Sequence, residues 1–111
     1  MEKSILLTRS RFLKMGLEKA LKAQDLPCVS TEDLEETLGF SREWRVPFIF
    51  VDLNFISEDE FGQLQSNIDS QIPLWVISKD CPKNWEGLWT KTPLNPLEFA
   101  KEVQSQYNKL R

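Results

Sequence analysis

Histidine is absent from the 111 residues of this chain. Its absence removes the side chain that most often acts as a general base near neutral pH and most often ligates a transition metal. Cysteine is nearly absent. Cys28 and Cys81 lie far apart, neither belongs to a Cys-x-x-Cys pair, and they read as two reduced thiols in a cytoplasmic protein. Long apolar runs are missing too: near the N-terminus only Ile5-Leu6-Leu7 is continuous. That is far short of a signal-peptide core or of the roughly 20 residues needed to cross a bilayer, so no membrane association is expected. Positive charge is not in excess. The 14 basic residues face 17 acidic ones, for a net charge of −3, which argues against direct nucleic-acid binding. With no glycine-rich phosphate loop either, the residues suggest no reaction, no cofactor and no metal, and the chain is not expected to be an enzyme.

What remains is an ordinary globular composition, 41% apolar and 28% charged. A chain of this length forms one domain, taken as residues 1–111. It buries about two-thirds of its unfolded surface and needs no metal or disulfide staple. No internal repeat, low-complexity tract or linker interrupts it.

Three short runs are apolar almost throughout: Ser4–Thr8, Pro47–Leu53 and Pro73–Ser78. Runs of this kind suit strands covered on both faces, as in a parallel sheet. Leu26–Ser30 and Leu88–Lys91 are weaker strands, and Pro27 suits an edge position for the first. Helical spacing links them. Leu13, Leu17, Ala20 and Leu21 share one face of a helix between Ser10 and Gln24. Thr31–Leu38 forms a second helix, with Gly39 as its stop. Ser57-Glu58-Asp59-Glu60 is a capping box ahead of Phe61, Leu64 and Ile68. Asn95-Pro96-Leu97-Glu98 places Asn, Pro and Glu at the N-cap, first and third positions of the last helix. The alternation predicts an α/β domain with a doubly wound parallel sheet. Lys79–Gly87 is too short for the helix that the pattern calls for there, so the fourth helix is shortened or missing.

In such sheets ligands gather beyond the carboxyl ends of the strands. The residues that fall there are Arg9, Ser10 and Arg11 after the first strand, Asp52 on the third, Ser78 on the fourth, and Lys91 ending the fifth with Thr92 after it. An apolar strand ending in Asp52, Asp59 and Phe61-Gly62 downstream, Ser78 closing the fourth strand, and Lys91-Thr92-Pro93 before the last helix together resemble the receiver domain of two-component response regulators. The resemblance covers nearly the whole chain. It implies a receiver (flavodoxin-like) sheet of five strands in the order 2-1-3-4-5. It also implies an aspartate, Asp52, at the phosphoacceptor position, with a hydroxyl and a lysine to hold the phosphoryl group and an acidic pair to help bind Mg²⁺.

The acidic pair is missing; Arg9, Ser10 and Arg11 fill that loop. Mg²⁺ takes hard oxygen ligands, with one or two carboxylates among them, and phosphoryl transfer relies on the metal to neutralise developing charge. Phosphorylation is therefore expected to be slow or absent, as in a degenerate receiver, or pseudo-receiver. An arginine, Arg9 or Arg11, is expected to pair with Asp52 in place of the metal. Trp85 and Trp89, beside the missing helix, form a candidate interface, because aromatic residues dominate protein–protein hot spots. The expected role is a signalling module acting through a protein partner or through a second copy as a homodimer. The alternatives are a phosphorylatable single-domain regulator with Asp52 as acceptor, or the N-terminal receiver-like part of a transcription regulator.

Overall fold

A computed structural model describes residues 2–110 of the chain. Its strands are β1 (Ser4–Leu7), β2 (Cys28–Thr31), β3 (Ile49–Asp52), β4 (Leu74–Ser78) and β5 (Leu88–Lys91). They form one sheet in the order β2-β1-β3-β4-β5, and every neighbouring pair is parallel. The helices are α1 (Arg11–Ala23), α2 (Leu34–Glu43), α3 (Glu58–Asn67) and α4 (Pro96–Leu110). The near-continuous apolar strands are explained by two separate cores, because successive side chains point to opposite faces. Leu6, Phe50, Trp75 and Ile77 meet α1 and α4 through Leu17, Leu21, Phe99 and Val103. Ile5, Leu7, Ile49, Val51 and Val76 meet Phe61 and Leu64 of α3 and Leu34 and Leu38 of α2. In the first core Trp75 is fully buried, stands edge-on to Phe48 and Phe99, and donates its indole N–H to Thr90 Oγ1 at 2.9 Å.

Each helix starts where a capping side chain stands. Ser10 Oγ accepts from Leu13 N at 3.2 Å, Asp33 Oδ1 from Glu36 N at 2.8 Å, and Asn95 Oδ1 from Leu97 N and Glu98 N at 2.9 and 3.2 Å. Ser57 and Glu60 complete both halves of the capping box. At Gly16 α1 passes so close to α4 that an added Cβ would lie 3.3 Å from Pro96 Cγ.

Both ends of the second helix differ from the sequence reading, and the second strand runs Cys28–Thr31 rather than Leu26–Ser30. The second helix begins at Leu34 rather than Thr31, because Thr31 is a buried strand residue whose hydroxyl lies 2.6 Å from that of Thr37. It also runs through Gly39 to Glu43. Phe40 stacks on Trp44 one turn later, with ring centroids 4.4 Å apart, and Leu38 packs on the second core. A glycine inside a helix costs about 1 kcal/mol relative to alanine, too little to end a helix held by that packing. Between β4 and β5, residues 79–87 contain no helix.

Candidate functional site

The carboxyl ends of β1, β3, β4 and β5 meet at one edge of the sheet, and Asp52 is at its centre. The carboxylate is fully buried. Thr8, just beyond β1, donates its hydroxyl to Asp52 Oδ2 at 2.6 Å, and the amide of Asn54 donates to Oδ1 at 3.1 Å. Thr8 Oγ1 also accepts from the amide of Ser10 at 3.0 Å, so the chain of bonds continues into the start of α1. Burial pushes the Asp52 carboxyl above the usual carboxylate range, and the bonds from Thr8 and Asn54 pull it part of the way back.

Asn54 ties three loops together. Its side-chain amide donates to Thr92 Oγ1, and its side-chain oxygen accepts from Lys79 N, each at 3.3 Å. The site therefore turns Thr92, rather than Lys91, towards Asn54; Lys91 is exposed at the end of β5. Ser78 is buried, but its hydroxyl is engaged away from Asp52. It donates to the carbonyl of Asp80 at 2.7 Å and accepts from Trp89 Nε1 at 3.0 Å.

The expected arginine–aspartate pair does not form. Arg9 turns to α3 and the neighbouring loops: its guanidinium donates to Glu60 Oε2 at 3.1 Å, to the Phe55 carbonyl at 2.9 Å and to the Glu32 carbonyl at 3.2 Å. Arg11 lines an outer pocket with Lys14 and Met15. The physical reason is the depth of Asp52. A hydroxyl reaches a buried carboxylate at a small desolvation cost, whereas a buried guanidinium loses its hydration as well. At the surface Arg9 keeps water and gains three acceptors. Glu60, read from sequence as a capping residue alone, serves both the capping box and this ion pair. The Ser57 amide first, and then Arg9, hold its carboxyl below the usual range.

The two tryptophans are less open than the sequence suggests. Trp85 and Trp89 are half-buried and packed against the second core. Trp85 stands edge-on to Phe61, with centroids 5.5 Å apart, and donates to the Leu88 carbonyl at 2.9 Å. With both indole N–H groups satisfied, these side chains cover the sheet where a helix would otherwise lie.

The Mg²⁺ that a receiver would place beside Asp52 does not fit these residues. One Asp52 oxygen accepts from Thr8 and the other from a backbone amide, and Glu60, the carboxylate that the β1–α1 loop engages, is paired with Arg9. The space above Asp52 is a pocket of 170 Å³ walled mainly by Phe12, Leu13, Phe55, Pro93, Leu94 and Pro96. With Ser10, Asn54 and Thr92 as its other polar lining, the pocket brings no second carboxylate to Asp52, and its mostly apolar walls give few partners to the waters that magnesium keeps. Sequence reasoning missed Thr8 and Asn54. The signals were modest: a lone hydroxyl ending an apolar strand, and an asparagine two residues after an aspartate, where side chain-to-backbone turns are common. Among the described residues, no helix is long and apolar enough to cross a membrane.

With this geometry in view, likeness to known proteins is clear in shape and faint in sequence. The sequence matches no protein-family model and no curated protein significantly. Among solved structures, the chemotaxis response regulator CheY4 of Vibrio cholerae is similar with a TM-score of 0.76 at 16% identity, over 96% of this chain and 98% of that one. A response regulator from Thermotoga maritima gives 0.73 at 17% identity, over 95% and 98%. A protein described among redox sensors in the streptococci, evolved from two-component response regulators, gives 0.74 at 13% identity, over 97% of this chain and 52% of that one. The chain has the receiver fold.

Proposed function

We propose that this receiver fold acts as a contact module in signalling, binding a protein partner without phosphorylation of Asp52 and without catalysing a reaction. The carrying observation is the closed state of that aspartate, with Thr8 2.6 Å from Oδ2 and the Asn54 amide 3.1 Å from Oδ1. A nucleophilic carboxylate must be ionised, exposed to its donor and accompanied by a charge-neutralising metal. Asp52 is buried, is held by Thr8 and Asn54, and faces a pocket whose walls are mainly apolar. Ser78, the hydroxyl expected to hold a phosphoryl group, is bonded to Trp89 and Asp80 instead. The streptococcal redox sensors give a parallel: they are described as having evolved from two-component response regulators.

Incubation with acetyl phosphate and Mg²⁺, followed by intact-mass measurement, tests this reading. The mass should not change. Stoichiometric, Mg²⁺-dependent addition of a phosphoryl group, lost in Asp52→Asn, overturns it.

A further inference from the structure

The two faces of the sheet carry opposite charge. Leaving out the Arg9–Glu60 pair and buried Asp52, four exposed basic residues from Arg11 to Lys22 stand against one acid, Glu18, and seven exposed acidic residues from Glu32 to Asp59 stand against Arg42 and Arg45. The first stretch contains α1, which packs on one side of the sheet, and the second contains α2 and the start of α3, which pack on the other. The basic helix is also apolar on its outer side. Phe12 is 84% exposed and Met15 66%, one turn apart.

The opposite face has a matching depression. The β4–β5 connection lacks its helix, and a groove of 770 Å³ lies between α3 and residues 79–85. Leu53, Ile56, Phe61 and Trp85 give it an apolar floor. Glu58 lines its α3 rim, next to exposed Asp59, while Lys79 and Lys83 flank Asp80 on the other rim.

We infer that a second copy of this chain fills the groove with its α1. Phe12 and Met15 lie on the apolar floor, and Arg11 and Lys14 face Glu58 and Asp59. The inference rests on reading the domain as a contact module and names the partner. Both surfaces stand at the carboxyl end of the sheet, on opposite faces, so the contact is head-to-tail. Such heterologous contacts build open chains or rings rather than closed two-fold dimers. A two-fold contact of α1 on α1 would set basic residues against basic residues. The net charge of −3 opposes assembly only weakly at physiological salt, where fields are screened beyond about 8 Å and the charges in contact dominate.

Sedimentation velocity on the full chain, across concentration and at low and high salt, reads the assembly directly. The mass should rise with concentration and fall with salt, and Phe12→Ala with Met15→Ala should weaken association about tenfold or more. Two charge variants give the decisive arm: R11E with K14E on the helix, and E58K with D59K on the groove. Each alone should remain monomeric, while their equimolar mixture, which restores opposite charge at both contacts, should associate as the wild-type chain does. Gln65→Arg, on the exposed part of the groove wall, serves as a second groove variant should E58K with D59K weaken α3. A wild-type chain that stays monomeric at low salt overturns the inference, as does a mixture that fails to associate while both variants keep wild-type unfolding midpoints. A monomer that also takes no phosphoryl group overturns self-assembly alone and leaves the contact-module reading standing.

Discussion

The hydroxyl of Thr8 lies 2.6 Å from Oδ2 of Asp52, closing from above a carboxylate that the sheet has already buried. Two strands meet in that bond, since Thr8 follows β1 and Asp52 ends β3. It joins the start of α1 to the same group through the Ser10 amide. The site is thus held by a short hydroxyl–carboxylate contact between two strand ends.

Thr8→Val keeps the branched shape and removes the hydroxyl. It leaves a buried carboxylate and the Ser10 amide each short of a partner. A hydrogen bond to a charged group contributes about 1.5–3 kcal/mol, and a urea titration should show a loss of that size. In Asp52→Asn the same Thr8→Val change should cost less, because the two residues act as a pair. Additive losses would show that the bond contributes nothing specific.

The pH dependence of stability should separate Asp52 from Glu60. Asp52 has its folded pKa raised above the ordinary 3.8, chiefly by burial. The folded state therefore binds this proton more readily than the unfolded chain. The group's contribution is complete below pH 3.8 and is lost as pH rises through the folded value. Asp52→Asn should flatten that part of the stability profile. Glu60 is lowered below 4.5, chiefly by the Ser57 amide. Its contribution is present above pH 4.5 and is lost as pH falls through the folded value, so Glu60→Gln should flatten the profile on the acid side. The second effect should be small because this carboxylate is open to solvent. Urea midpoints across the acid-to-neutral range check both signs.

Trp89 and Ser78 give a further test. The indole N–H of Trp89 donates to Ser78 Oγ at 3.0 Å, so Trp89→Phe and Ser78→Ala should each cost about 1 kcal/mol in unfolding free energy, the usual size for such a bond. The double variant should fall short of the sum. If both indoles were only surface contacts, neither change would move the unfolding midpoint.

Much of this was legible in the residues. Apolar runs ending in Asp52 and Ser78 placed the central strands. The capping signals at Ser57, Glu60 and Asn95 placed two helix starts, and the short stretch Lys79–Gly87 announced the missing helix. Gly39 misled, since local stop signals say nothing of the Phe40–Trp44 stack one turn later. The site was harder to read. A sequence puts Arg9, Arg11 and Asp52 at the same sheet edge without giving depth, and depth decides which donor reaches the carboxylate. Thr8 won because it sits one residue past β1 on the buried side, while Arg9 is exposed. The tryptophans were hard to read for a related reason: composition does not show how far an aromatic ring roofs its own sheet, as Trp85 and Trp89 do here.

The most direct measurement is the amide spectrum of the chain titrated with beryllofluoride and Mg²⁺, a mimic of the phosphorylated aspartate. The resonances of Thr8, Asp52, Asn54 and Thr92 should keep their positions throughout. Saturable shifts centred on those four residues, dependent on Mg²⁺, would contradict the account.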